Sequence, residues 1–177
     1  MRYYGLWSFT EGACVLSGLG YNGVDMVTGR VKWDRMKNAR PFELEFAQAA
    51  DSYVRNWNVR THTWLRDYVY VRCLGLGSRF LPRMISFIVS AMWHGFNPAH
   101  YLSFAAAAII QTIAKGARRQ IRPVFLDRQG DPARTKKYYD VLTWLLTQLT
   151  VAFIFVPFIF PDFGTSVVVW KRTMGIP

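Results

Sequence analysis

His94 is the residue whose type and position are best suited to chemistry. It lies within residues 84–114, a run of 31 residues that contains no Asp, Glu, Lys or Arg. About 20 apolar residues are enough to cross a bilayer as a helix. An ionisable side chain at membrane depth is costly and is a candidate for function, and an imidazole exchanges protons near neutral pH. A neutral histidine that donates to a carbonyl inside a helix bundle would explain this residue equally well.

Asn58 is the second polar candidate. Pro41 followed by Glu43 and Glu45 is typical of a helix start, and the sequence predicts a helix from Pro41 to about Arg72. Residues at steps of three and four along it predict one largely aromatic stripe, flanked by arginines: Phe46, Ala50, Tyr53, Trp57, Thr61, Trp64 and Tyr68. Such a stripe suits the headgroup region of a membrane. Asn58 borders the stripe, where a hydrogen bond to a neighbouring helix is its simpler interpretation.

Three further stretches must position these residues. Asn97-Pro98 predicts a kink or break near His94, because proline lacks an amide proton, and a broken helix at membrane depth is tolerated where it lines a cavity. Residues 141–161 are free of charge and predict another span. Residues 3–24 contain five glycines and one charge, Glu11. They predict a helix packed among others with a frayed glycine-rich end, and Glu11 would either reach the interface or line a cavity.

The composition favours an all-α, multi-pass integral membrane helical bundle with amphipathic interfacial helices. Hydrophobic residues make up 51% of the chain, and the net charge is +11. No basic motif of a nucleic-acid-binding fold is visible, so anionic phospholipid headgroups or a phosphorylated cosubstrate are the better partners for this charge. Residues 115–137 hold eight Lys or Arg against two acids, which predicts a cytoplasmic loop between spans.

The histidines and cysteines do not predict a metal site or a disulfide framework. Cys14 and Cys73 lie far apart and each is alone. His62, His94 and His100 lack the spacing of metal ligands, and a separation of six residues puts His94 and His100 on different sides of a helix.

Two motifs together resemble the membrane-bound O-acyltransferase family. They are Trp-Asn-x-x-Thr-x-x-Trp-Leu at residues 57–65 and Ser-Ala-x-Trp-His-Gly at residues 90–95, and Asn58 and His94 are 36 positions apart. In that family an asparagine and a downstream intramembrane histidine are the functional residues. The opening YYGLWSFTEGACVLSGLGYNG and the approach RPFELEFAQAADSYVRNWN resemble the lysophospholipid acyltransferase branch. Family members are longer, so residues 1–177 are expected to be the C-terminal part of the domain, without its N-terminal spans.

The resemblance implies an enzyme of phospholipid biosynthesis that moves a fatty acyl group from acyl-CoA to the free hydroxyl of a lysophospholipid. His94 would be the general base, and Asn58 would orient the imidazole or donate to the oxyanion. Further substrate-binding candidates lie near the motifs or in the first helix: Trp57, Thr61, Trp64, Trp93, Tyr101 and Glu11. Acyl-CoA would be a cosubstrate, with no bound cofactor, no metal and no nucleic acid. The expected location is the endoplasmic reticulum membrane.

Several points stay open at this stage. Asn-Pro-Ala-His-Tyr at residues 97–101 replaces a Pro-Gly-Tyr-Tyr that is frequent in the family, which leaves the role of His100 open. The acceptor could instead be a sterol, diacylglycerol or a protein. A non-enzymatic alternative is a transporter or channel fragment in which His94 gates protons. The sequence indicates neither the headgroup and chain preference nor the oligomeric state.

Overall fold

The chain is all-helical in a computed structural model that describes residues 2–127 and 131–175. Helix α1 (Arg2–Leu16) is followed by turns over residues 17–40, and three short helices then follow: α2 (Pro41–Glu45), α3 (Ala50–Asn56) and α4 (Val59–Leu65). A π-helical turn (Arg66–Tyr70) and a 3₁₀ turn (Val71–Leu76) continue α4. The remaining helices are α5 (Phe80–Trp93), α6 (Pro98–Ile121), α7 (Lys136–Ile159) and α8 (Phe163–Thr173), with a 3₁₀ turn (Arg122–Phe125) after α6. The described residues form no strand, so the all-α prediction is confirmed.

The uncharged run around His94 folds into a helical hairpin. Helix α5 ends at Trp93 and α6 begins at Pro98, which confirms the break predicted at Asn97-Pro98. Asn97 caps α6, because its Oδ1 accepts a hydrogen bond from the Ala99 amide at 2.9 Å. The start of α5 lies beside the end of α6, so the two helices run in opposite directions with His94 at the turn.

The prediction of a single long helix from Pro41 to Arg72 is wrong. The chain leaves helical geometry over residues 46–49 and again at residues 57–58. At the first break the last carbonyls of α2 lose their helical donors. Side chains of α7 replace them: Trp144 Nε1 donates to the Glu45 carbonyl at 2.6 Å, and Gln148 Nε2 donates to the same oxygen at 3.0 Å. Hydrogen bonds between distant residues therefore override the local helical periodicity.

The basic loop predicted over residues 115–137 is shorter in the structure. Helix α6 continues to Ile121 and α7 already begins at Lys136. The end of α6 is fixed by Arg118, whose Nη1 donates to the Gln48 carbonyl at 2.8 Å. Part of the predicted basic loop, residues 128–130, lies outside the described residues.

Helix α8 packs where α7 lacks a backbone hydrogen bond. Pro157 lies inside α7 and is fully buried. Because proline has no amide proton, the Phe153 carbonyl four residues earlier has no helical donor. Trp170 of α8 donates its Nε1 to that carbonyl at 2.8 Å, and its ring stacks on Phe153 with a centroid distance of 4.8 Å.

The surface is large and apolar for a chain of this size. The accessible surface is 12319 Å² for 20.5 kDa, whereas a compact soluble monomer of this mass exposes about 8,900 Å². Among the described residues, α7 is the one helix long and apolar enough to cross a membrane. Only 11% of its most apolar 18 residues are buried. The span predicted at residues 141–161 therefore corresponds to a helix with an apolar outer surface that lipid or further protein must cover.

Trp170→Phe tests the bond that joins α8 to the proline in α7. The variant keeps an aromatic ring but leaves the Phe153 carbonyl without a donor, which costs about 1–3 kcal/mol. We expect the free energy of unfolding in detergent micelles, followed by circular dichroism, to fall by that amount. Trp33→Phe is the matched control, because Trp33 is 45% exposed and its indole nitrogen has no partner in the described part of the chain. Equal losses in the two variants would contradict this role of Trp170.

Candidate functional site

His94 is surrounded by aromatic rings at the turn of the hairpin. The centroid of its imidazole lies 5.2 Å from Trp93, 5.3 Å from Phe104 of α6 and 5.3 Å from Phe158 of α7. Its side chain is exposed in this chain, and no described residue forms a hydrogen bond with the ring. The imidazole nitrogens are therefore available to a ligand, while helices α6 and α7 form an apolar wall beside them.

His100 lies close to His94, so the prediction that they occupy different sides of a helix is wrong. The two ring centroids are 6.2 Å apart, and His100 stacks on Phe158 at 4.6 Å. The prediction failed because the chain leaves helical geometry between the two histidines. His100 Nδ1 is buried and has no hydrogen-bond partner among the described residues. No group of three His, Cys, Asp or Glu that could hold a metal occurs in the described ranges.

Asn58 lies at the junction of α3 and α4 and is held there by Asn38. Its backbone is left-handed, with φ 48° and ψ 53°, and no other non-glycine residue of the described chain has a positive φ. Asn38 Nδ2 donates to Asn58 Oδ1 at 3.1 Å. Asn38 Oδ1 accepts from the Arg60 amide at 3.0 Å. The Asn38 carbonyl oxygen accepts from the Val59 amide at 2.8 Å. Asn38 thus caps α4 and orients the Asn58 carboxamide, whose Nδ2 has no acceptor among the described residues.

Asn38 and the phenylalanines were not identified from the sequence. Asn38 lies in a polar stretch 20 positions before Asn58, and no local pattern relates the two. Phe155 and Phe158 were assigned only to a span, although their spacing of three residues places them on one face of α7.

A row of aromatic rings connects the two motifs. Trp57, which precedes Asn58, contacts Phe155 of α7 with a centroid distance of 5.9 Å. Phe155 contacts Phe158 at 5.6 Å, and Phe158 contacts His94 at 5.3 Å. No hydrogen bond joins Asn58 and His94 in the part of the chain that the structure describes. The structure thus brings the two motifs to one face of α7. The rings of Phe155 and Phe158 lie between the Asn58 carboxamide and the His94 imidazole.

Trp57 packs against α1, and Glu11 lies on α1. Trp57 is half-buried at the centre of an aromatic cluster formed by Tyr3, Tyr4, Trp7 and Tyr53. Glu11 lines a groove of about 650 Å³ between α1 and residues 37–41. Neither residue touches the rings around His94.

The remaining substrate-binding candidates are dispersed. Trp64 is 52% exposed and stacks on Tyr68 at 5.7 Å. Trp93 is exposed beside His94. Thr61 and Tyr101 are half-buried on α4 and α6. Of this set, Trp93 alone contacts the imidazole.

Polar contacts fix the far side of the hairpin turn. Asn97 Nδ2 donates to the Pro161 carbonyl at 2.8 Å, which joins the turn to the end of α7. Asp162 Oδ2 accepts from the Thr165 amide at 2.7 Å, a bond that caps α8 and lowers the pKa of Asp162. Burial, and secondarily the Arg66 guanidinium, lower the pKa of His62 on α4.

These features describe a helical protein with an apolar outer surface and a histidine at a helix break. The sequence profile of the membrane-bound O-acyltransferase family matches residues 1–156, and the chain belongs to this family. It is 42% identical over 175 residues to a lysophospholipid acyltransferase of Schizosaccharomyces pombe, an alignment that covers 97% of this chain and 34% of that protein. It is 39% identical over 172 residues to the lysophospholipid acyltransferase of Saccharomyces cerevisiae. That alignment covers 96% of this chain and 28% of that protein.

A human relative extends the comparison. The chain is 32% identical over 158 residues to membrane-bound glycerophospholipid O-acyltransferase 2 of Homo sapiens. That alignment covers 89% of this chain and 28% of that protein. The chain thus spans about a third of the length of the curated relatives it matches. The resemblance noted on the two motifs is confirmed at the level of the family.

Asn58→Ala and Asn58→Gly separate the backbone of this site from its side chain. Both variants remove the carboxamide and its bond to Asn38. A Cβ in the left-handed region costs about 1–2 kcal/mol, whereas glycine adopts it freely. We therefore expect Asn58→Ala to be about 1 kcal/mol less stable than Asn58→Gly when both are unfolded in the same micelles. Equal stability would contradict the left-handed conformation.

Proposed function

We propose that the protein transfers a fatty acyl group from acyl-CoA to the free hydroxyl of a lysophospholipid within the membrane. The observation that carries this proposal is the position of His94, at a helix break beside an aromatic wall, in a chain of the membrane-bound O-acyltransferase family. The names of the two yeast relatives, lysophospholipid acyltransferase, support the acceptor class. The activity belongs to the whole protein, of which this chain holds the two motifs.

The proposal includes a multi-pass arrangement in the endoplasmic reticulum membrane. Helix α7 would cross the bilayer, and the hairpin of α5 and α6 would enter it beside α7. The 14 residues of α5 measure about 21 Å, less than the roughly 30 Å of a hydrocarbon core. With Arg79 and Arg83 at the headgroups, His94 at the other end of α5 would lie at membrane depth.

In this mechanism His94 acts as the general base. Its neutral imidazole takes the proton of the lysophospholipid hydroxyl as that oxygen attacks the thioester carbonyl. The tetrahedral intermediate then collapses, the carbon–sulfur bond breaks, and the imidazolium returns the proton to the CoA thiolate. Phe104 and Phe158 keep water away from the thioester on one side of the imidazole.

Asn58 acts as a hydrogen-bond donor in the same reaction. Asn38 donates to its Oδ1, and its Nδ2 group, which has no acceptor among the described residues, is the donor left for a ligand. An N–H donor stabilises the negative oxygen that develops on the acyl carbonyl. Orientation of His94 is the other role open to Asn58, and both roles require Phe155 and Phe158, which lie between the two motifs in this chain, to make room for the substrate.

His94→Gln tests the general base. Because general-base catalysis contributes about 10²–10⁴ in rate, we expect kcat/KM to fall at least about a hundredfold. The measurement is the transfer of labelled acyl groups to lysophospholipid by the complete gene product in nanodiscs. His62→Gln is the matched control and should retain activity, since His62 lies on α4 and is not among the described rings in contact with His94. Wild-type turnover in His94→Gln would refute the assignment.

Asn58→Asp tests the donor role. The carboxylate can still accept from Asn38 and suits the left-handed backbone, but it has no N–H to donate. We expect transfer to fall about a hundredfold or more while the unfolding free energy stays near that of the wild type. Asn58→Gly removes the donor without adding charge and should lose activity equally. Full activity in Asn58→Gly would contradict the donor role and leave Asn58 with a structural role only.

The acceptor class requires its own test. The complete gene product should consume acyl-CoA thioester with lysophospholipids and not with sterols, diacylglycerol or peptides. Consumption with one of the other acceptors alone would overturn the acceptor while leaving the family chemistry in place.

A further inference from the structure

Residues 21–37, which we call the surface loop, form a turn with two apolar side chains at its tip. Met26 is 95% exposed and Val27 is 94% exposed. Single exposed apolar residues are ordinary on a protein surface. Two neighbouring apolar side chains that are almost completely exposed lose the free energy that burial would give them. Neither sequence motif contributes a residue to the surface loop.

The tip of the surface loop is held in a defined turn by its own polar groups. Val24 and Val31 form an antiparallel bridge on either side of it. Asp25 Oδ1 accepts from the Val27 amide at 3.0 Å, and Asp25 Oδ2 pairs with Lys32 Nζ at 3.0 Å. The one carboxylate beside the tip is therefore already neutralised. Because the turn is ordered in advance, contact with a partner costs little further conformational entropy.

Two aromatic residues flank the base of the surface loop. Tyr21 and Trp33 form an edge-to-face pair with ring centroids 5.8 Å apart. Both are about half exposed. Tyrosine and tryptophan are enriched where a membrane meets water, because one end of each ring system is apolar and the other carries a hydrogen-bonding group.

The surface loop is also basic. It holds four Lys or Arg against two Asp. Arg30 and Arg35 are exposed and have no carboxylate partner in the part of the chain that the structure describes. Their charge is therefore available to an anionic surface.

We propose that the surface loop inserts its tip into the interface of a bilayer that carries anionic phospholipids. Met26 and Val27 then leave water for the boundary between headgroups and acyl chains, and Arg30 and Arg35 meet the anionic headgroups. The loop thus combines an apolar tip, an aromatic pair and free cations, which together suit a lipid surface. The chain belongs to a membrane-bound family, so such a surface is within reach.

Insertion of the surface loop would also steady the residue that holds Asn58. Asn38 directly follows the loop and donates to Asn58 Oδ1 at 3.1 Å. An anchored loop limits the movement of Asn38 and hence of the Asn58 carboxamide. The insertion itself does not depend on the proposed acyl transfer.

A nitroxide spin label on Val27→Cys tests the insertion without any measurement of turnover. The complete gene product is used in nanodiscs, with Cys14, Cys73 and any other cysteine replaced by serine. Collisions are measured with oxygen, which concentrates in lipid, and with a neutral nickel chelate, which stays in water. Lys37→Cys carries the label in the matched control, because Lys37 is exposed at the base of the same loop.

We expect the label at residue 27 to collide with oxygen and to be shielded from nickel, whereas the label at residue 37 collides more with nickel. Strong nickel collisions at residue 27 would show a tip in water and overturn the proposal. Shielding from both reagents would show a tip covered by protein, either the rest of the chain or a second copy, and would overturn it too.

The anionic component is tested with Arg30→Gln/Arg35→Gln in nanodiscs that contain phosphatidylglycerol. Each cation near an anionic surface contributes about a factor of five, so we expect the ratio of inserted to free label at residue 27 to fall about fivefold for each arginine removed. Arg134→Gln/Arg172→Gln is the control, because it removes the same charge from exposed positions outside the loop. An unchanged ratio, or an equal fall in the control, would overturn the assignment to an anionic surface.

Discussion

Backbone polar groups without a helical partner constrain this chain more than any other interaction. A carbonyl left unpaired beside an apolar surface has no water to bind, so the protein itself must supply a donor. Trp170 does so for Phe153, four residues before Pro157, and Trp144 donates to the exposed Glu45 carbonyl at the end of α2. The first bond joins the consecutive helices α7 and α8, and the second joins residues 99 positions apart. The packing of α8 and of the short helices on α7 therefore follows from where the helices break.

Two further breaks, between α5 and α6 and at residues 57–58, produce the candidate site. An unbroken helix through residues 84–114 would have placed His94 and His100 on different sides, and a continuous helix through Asn58 would have fixed its side chain by helical spacing. Instead, the hairpin turn brings the two imidazoles within 6.2 Å, and the left-handed Asn58 receives a hydrogen bond from Asn38. Departures from regular geometry are costly and concentrate at functional sites. The two motifs that identify the family coincide with two of these departures.

Local rules predicted the elements whose causes are local. Proline after Asn97 ended one helix and began another, and the charge-free run at residues 141–161 became α7. The breaks before and after α3 could not be predicted from local sequence. Trp144, 99 residues away, supplies the hydrogen bond at the first break, and Asn38, 20 residues away, supplies the one at the second. For the site, spacing and resemblance selected His94 and Asn58. The neighbours Asn38, Phe155 and Phe158 depend on tertiary packing, which periodicity does not encode.

For the general base and membrane position that we propose for His94, the polarity of the hairpin limits which acyl donors can react there. A phosphate moved to the depth of the imidazole would lose its hydration, and Phe104 and Phe158 offer it no donor. The guanidinium groups at the other end of α5 and α6 are the groups in the hairpin that could offset that loss. An acyl donor must therefore carry its charge about 21 Å from its reactive carbon, with a neutral segment between. A long-armed thioester satisfies this condition, whereas a small charged acyl donor does not.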